Sequence, residues 1–389
     1  MNIIYFSVVR YPTEKAYGVT IHYSFQALNQ LGHQTRIISP QDLYANRNTK
    51  VSYRFLLFIA KHLESLQKIF EKKNIFFISR VISQTIYRGK IIIYAFSSRS
   101  IISTGTDLLW TREPLICLFN YRRVNVKKIV IEIHTKLGLL SKIIIKFTQK
   151  SGKIIIAPIS IELRDSLFKS RIKLDRSKFV LGPMAVPDTF FGDTVYVHKQ
   201  NKSDFHLGYV GNILSAGHDQ KILDLISCIQ KINESSAKQK TILHLYGIEP
   251  EFVPVLKSSF AKLIDNDYLA INSRMSHNEL IPKLRKCDAF ILPYPEGNYF
   301  RNRFPLKALE YAALFRPILV TDTIAHRNIF DSSEVWFYSP ENCLHLSNSI
   351  NDLISDKDKV LKKLQNAYAK AQAHTYSRRV RDILDLLDL

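Results

Sequence analysis

The sequence predicts an α/β fold made of two doubly wound parallel-sheet domains facing each other across a cleft. Three observations lead there. Short apolar, β-branched runs alternate along the whole chain with segments whose apolar residues recur at helical spacing, as in successive βαβ units. At 389 residues the chain is too long for one ordinary core. A polar, aperiodic stretch over 192–204 separates two such series and reads as the linker. The expected organisation is a first domain over 1–195, a second over 205–370, and a terminal basic amphipathic helix over 371–389 near the domain junction.

The first series opens with a buried strand over 2–9, ended by Arg10-Tyr11-Pro12. A polar loop containing Gly18 leads to a helix over 21–31, stopped by Gly32, and a second strand over 35–40 completes a βαβ opening. Gly18 falls where backbone passes close to whatever occupies the crevice at the carboxyl ends of the strands. The G-x-G-x-x-G pattern is absent, which removes support for an ordinary dinucleotide site. Residues 51–103 interleave apolar runs with lysines and arginines, none long enough to span a bilayer. They are read as basic amphipathic helices on a membrane surface, with a domain core rimmed by solvated lysines as the alternative. Further strands follow at 108–112 and 129–134, the latter ending in His134, which such a strand end presents to a ligand crevice, to donate to a sugar hydroxyl or shield developing charge. A strand over 154–160, a helix over 161–168 and a strand over 179–181 close the series.

The second series has strands over 205–212, 241–247 and 268–271, a helix over 221–231, and a capping box formed by Ser276 and Glu279. The apolar strand 289–292 then enters the stretch 293–323, a strand-loop-helix-strand unit. Its helix begins near Leu306, offers free backbone N–H groups to a phosphate, and carries Glu310 one turn in, within reach of a sugar hydroxyl.

Net charge is +21, with 31 basic against 12 acidic residues in the first 200 and 24 against 22 in the rest. Such one-sidedness indicates a polyanionic partner, anionic lipid or nucleic acid. Cys117, Cys228, Cys287 and Cys343 show no metal-ligand spacing, so neither a disulfide framework nor structural zinc is expected, and a reducing compartment is. The first residues lack the basic region of a signal peptide.

These motifs together resemble the family 4 glycosyltransferases. The resemblance rests on the run from Tyr11 to Gly18, Leu31-Gly32-His33, Thr111-Arg112, Glu132-Ile133-His134, Ile159-Ser160, Tyr209-Val210-Gly211, Tyr246-Gly247, the segment from Ser276 to Leu280, and that from Pro305 to Ala312. It implies the GT-B architecture of two Rossmann-like domains. It also implies retaining transfer of a sugar from a UDP- or GDP-sugar, with no metal and no further cofactor. On that resemblance Glu310 binds the ribose, amides at Leu306 and Lys307 meet the diphosphate, Gly18 brings backbone to the same phosphates, and His134 lines the transferred sugar. Two departures stand out. Asn302 replaces the glutamate expected eight residues before Glu310, and the basic pair expected after Gly211 falls on Asn212 and near Ala216. Arg301, Arg303 and Lys307 are the candidate substitutes. The expected partner is a lipid-linked or glycan acceptor at the inner, cytoplasmic face of a membrane. The competing readings are an inactive GT-B-like subunit and, third, a basic nucleic-acid-binding protein.

Overall fold

A computed structural model describes residues 1–8, 11–12, 16–39, 89, 91–92, 95, 102, 105–192, 196–198, 204–215, 217–235, 239–301, 304–340 and 342–387. The amphipathic segments expected over 51–103 lie, apart from isolated residues, outside the described residues, as do Asn302 and Arg303. Two compact units are present, residues 1–183 with 377–389, and residues 184–376. The chain passes between them at Pro183 and Met184, and again at Tyr376 and Ser377.

The first unit is a parallel sheet of β1 (Asn2–Phe6), β2 (Gln34–Ile38), β3 (Thr106–Thr111), β4 (Val126–Ile133) and β5 (Ile154–Pro158) in the order β2-β1-β3-β4-β5. Its helices include α1 (Ala16–Gln30), α2 (Pro114–Asn120), α3 (Leu139–Gln149) and α4 (Ile161–Phe168). Strand β5 is buried at every residue, as expected of a parallel strand covered on both faces. Helix starts follow local chemistry. Glu113 accepts from the Leu115 N–H ahead of Pro114, and Ser160 accepts from the Leu163 N–H at 3.2 Å. Helix α1 starts earlier than its apolar periodicity indicates, so Gly18 is buried in its first turn and not in a loop. The strand expected over 179–181 reduces to one bridge between Ile156 and Phe179, because a 3-10 turn at Arg176–Lys178 precedes it and Gly182-Pro183 follows.

The second unit is a parallel sheet in the order β10-β9-β6-β11-β12-β13, with β6 (Asp204–Val210), β9 (Lys240–Ile248), β10 (Leu269–Ser273), β11 (Ala289–Leu292), β12 (Ile318–Thr321) and β13 (Trp336–Tyr338). A small antiparallel ribbon, β7 (Leu214–Ser215) and β8 (His218–Asp219), follows β6. The helices are α5 (Ile222–Ser235), α6 (Phe252–Ser259), α7 (Ala261–Asp265), α8 (His277–Leu284), α9 (Asn298–Arg301), α10 (Leu306–Ala313), α11 (Ile324–Arg327), α12 (Cys343–Ser355) and α13 (Lys357–Gln372). The capping box of Ser276 and Glu279 opens α8 as the sequence indicates. Strand order reverses between β6 and β11, the switch point where doubly wound sheets bind ligands. Helix α14 (Tyr376–Asp385) returns the chain to the first unit from Ser377 onward.

One expectation is overturned. Cys228 of α5 and Cys343 at the start of α12 form a disulfide, with Cα atoms 5.1 Å apart. No spacing rule could reveal it, since 115 residues separate the two and only the packing of α5 on α12 brings them together. Cys117 and Cys287 take no part in a disulfide and are buried. The expected reducing compartment loses the support it drew from unpaired cysteines.

Candidate functional site

At the switch point β6 is followed by Gly211, whose φ of +152° lies in the region that favours glycine. Its N–H donates to the Tyr246 carbonyl at 2.8 Å. Gly247 near the end of β9, with φ +80°, lies so close that a Cβ there would approach the Gly211 nitrogen at 3.6 Å, so the two segments pass backbone against backbone. A Cβ on Gly211 would collide with Lys307 Nζ and come within 2.6 Å of the Tyr209 hydroxyl. The missing side chain is therefore the space that the Lys307 ammonium occupies.

Lys307 reaches that space from the first turn of α10. The Leu306 N–H bends back to the Phe304 carbonyl at 2.8 Å, so of the two amides expected to meet a diphosphate only that of Lys307 lacks a backbone acceptor among the described residues. Its ammonium lies 5.4 Å from the Tyr209 ring centre and makes no ion pair among the described residues. Glu310 sits one turn on, and both residues are half-buried. Burial pushes the Lys307 ammonium down and the Glu310 carboxyl up, each effect partly offset by the other's charge. Tyr311 fixes the helix to the sheet: its hydroxyl accepts from the Val210 N–H at 2.8 Å and its ring stacks on Phe290 at 4.2 Å.

Asn212 is committed to the turn. Its Oδ1 accepts from the Glu249 N–H at 3.3 Å, and its carbonyl accepts from the Tyr209 hydroxyl at 3.0 Å and from Gln220 Nε2 at 2.8 Å. The loop after β11 is tied down by Thr321 Oγ1 donating to the Tyr294 carbonyl at 2.6 Å, by the Ile324 N–H donating to Glu296 at 3.1 Å, and by Tyr299 stacking on His218 at 3.8 Å. Arg301 is spent on an exposed ion pair with Glu296 at 3.3 Å, a contact of small energetic weight. The same loop helps wall a cavity of about 470 Å³ through Pro293, Pro295 and Glu296, together with Lys221, Asp224 and Tyr338.

In the first unit His134 follows β4, and its Nε2 lies 3.1 Å from Glu132 Oε2. Glu132 is fully buried. It also accepts from Arg112 Nε at 2.9 Å and from Arg379 Nη2 of α14 at 2.6 Å. Burial pushes the Glu132 carboxyl up, but Arg379, Arg112 and His134 overcome it and hold the group well below the usual carboxylate range. Burial and Arg112 lower His134, so the imidazole is neutral near pH 7. An ionised carboxylate only accepts, so Nε2 carries the hydrogen and Nδ1 is the acceptor. The sequence suggested donation to a sugar hydroxyl; this tautomer offers acceptance from one.

The second unit thus gathers Gly211, Asn212, Leu306, Lys307 and Glu310 at the carboxyl end of its sheet, with Arg301 at the end of neighbouring α9, while Gly18 and His134 belong to the first unit. Sequence reasoning missed Tyr209 and Tyr311, and also the partners of Glu132. A carboxylate inside an apolar strand was the available signal for the last.

Residues 204–356 match a family model described as glycosyl transferases group 1. This stretch of the chain is similar to the group 1 glycosyl transferases. Solved structures similar to the whole chain show that the fold is GT-B. A glycosyltransferase from Rickettsia africae ESF-5 is 16% identical, with a TM-score of 0.63, covering 99% of this chain and 97% of that one. HepE from Anabaena, in complex with UDP and glucose, is 11% identical with a TM-score of 0.58, covering 100% and 99%. Sucrose-phosphate synthase from Thermosynechococcus elongatus is 12% identical with a TM-score of 0.59, covering 99% and 98%. No curated protein matches the sequence. The matched stretch spans the whole sheet of the second unit, so Gly211 and the start of α10 lie inside it.

Proposed function

We propose that the chain is a retaining glycosyltransferase that moves a sugar from a UDP- or GDP-sugar to a lipid-linked or cell-surface glycan acceptor, without a metal, on the inner face of a membrane. One observation carries the reading: the half-buried Lys307 ammonium, without an ion pair among the described residues, set over Gly211 at the start of α10. A departing diphosphate gathers negative charge, and a fixed cation beside a helix amino terminus stabilises it more in a partly dry site than in water. Glu310, one turn further, takes the ribose hydroxyls. Lys307 supplies charge that Asn212 does not. His134 Nδ1 is an acceptor suited to a sugar hydroxyl. The complex of HepE with UDP and glucose supports a nucleotide-sugar here.

Thermal unfolding with a panel of UDP-, GDP- and ADP-sugars tests this. A donor at a hundredfold its Kd adds about 2.7 kcal/mol, and Glu310→Ala abolishes that gain. If no donor raises the midpoint, the proposal fails. A donor that stabilises the chain but is never turned over with a lipid acceptor selects the non-catalytic subunit instead, a reading favoured by the structural use of Asn212.

A further inference from the structure

Helix α3 has two faces. Ile144, Ile145, Thr148 and Gln149 are buried, whereas Leu139, Leu140, Ile143 and Phe147 are 69%, 66%, 48% and 45% exposed. Their spacing sets them along one stripe of the helix. Lysines border it: Lys136, Lys146 and Lys150 are exposed and Lys142 half-buried. At its carboxyl end the Phe147 ring meets Tyr121 edge-on at 5.6 Å, and the guanidinium of Arg122 lies 5.3 Å from the Tyr121 ring centre. No carboxylate occurs between Glu132 and Glu162, a span that holds five lysines. Among the described residues no helix is long and apolar enough to cross a bilayer.

We infer that α3 is a docking surface for an anionic lipid membrane, its apolar stripe entering the acyl boundary and its lysines meeting the head groups. An apolar stripe alone would suit a protein partner equally well. The lysines along one flank and both ends of the stripe, with no carboxylate in the span, decide for lipid, because a bilayer offers hydrocarbon and negative charge together. This surface gives the proposed transferase access to a lipid-linked acceptor. That purpose rests on the proposed function, but the binding itself does not.

The experiment is co-sedimentation of the full chain, without donor, with vesicles of phosphatidylcholine alone or with about one third phosphatidylglycerol. The wild type sediments with the anionic vesicles, less at high salt. Leu140→Asp with Ile143→Asp weakens binding on the order of tenfold or more, and Lys142→Glu with Lys146→Glu has a comparable effect. Phe147→Trp gives a direct reading, since Trp110 and Trp336 are buried and a blue shift on adding anionic vesicles reports the stripe. Circular dichroism and the donor-induced thermal shift of each variant separate lost docking from lost folding. The inference is overturned if the double aspartate variant sediments like wild type, or if Phe147→Trp stays unshifted while bound. It is also overturned if the stripe variants merely turn a dimer into a monomer while no form binds vesicles.

Discussion

Gly211 and Lys307 define the site through what one of them lacks. Gly211→Ala meets two obstacles at once, a φ of +152° and a Cβ against the Lys307 ammonium and the Tyr209 hydroxyl. The expected cost is about 1–3 kcal/mol of stability, together with a marked loss of donor affinity as Lys307 is displaced. Denaturant titration and donor titration measure the two; unchanged affinity would mean that the space over the glycine does not position the lysine. The sequence made each residue visible separately, as a turn glycine after a strand and as a basic residue entering a helix. It could not show that one fills the other's vacancy, because the contact exists only once α10 is packed against the end of β6. Asn212 likewise read as a lost cation, and its actual use, holding the Glu249 N–H, depends on where the loop after β9 comes to rest. Glu132 was half legible: a carboxylate amid isoleucines and valine requires a partner, but Arg379 lies 247 residues away in sequence.

At the scale of elements, α14 matters beyond its amphipathic pattern. Arg379, itself buried, donates to Glu132 at 2.6 Å, to the Gly182 carbonyl at 3.3 Å and to Ser24 Oγ at 3.3 Å. Arg379→Met should destabilise the first unit by about 3–5 kcal/mol, because it strands a buried carboxylate with Arg112 and His134 alone. Arg379→Lys should rescue poorly, since a point charge cannot reach three acceptors in a fork. The pH dependence is a second readout. A carboxyl held well below its ordinary value contributes stability above the usual carboxylate range and loses it only as pH falls through the depressed value. In Arg379→Met that loss moves up toward the ordinary range; an unaltered acid profile would count against the clamp. Elements with strong local signals were readable, such as the capping box of α8 and the strands β4 and β5. Helix α3 was not, because Ile143-Ile144-Ile145 is β-branched and favours a strand locally, and its helical state is set by packing its buried face on the sheet.

For the whole molecule, alternation of strands and helices and the need for two cores were legible, whereas the disulfide joining α5 to α12 was not. Acid sensitivity is also a property of the assembled second unit. Burial lowers His326 to about 4 against the pull of Glu296 and Asp322, and His326 Nδ1 donates to the Thr321 carbonyl at 2.8 Å, leaving Nε2 buried with no hydrogen-bond partner among the described residues. Burial and His206 lower His244 to about 4 as well, and the two rings share one hydrogen at 2.9 Å. A histidine whose folded pKa is depressed takes its proton later than in the unfolded chain. Between pH 6.5 and about 4 the unfolded state therefore holds more protons, and stability falls as the pH falls. Fully buried His326 accounts for on the order of 3 kcal/mol of that slope. His326→Phe keeps a ring against Tyr294, removes the titrating group, lowers stability at neutral pH through the lost hydrogen bond, and flattens the limb between those pH values. Urea unfolding across this range, followed by Trp336 emission in a Trp110→Phe background, reads the second unit alone. A limb as steep as that of the parent would place the acid sensitivity at His244 and remove His326 from the account.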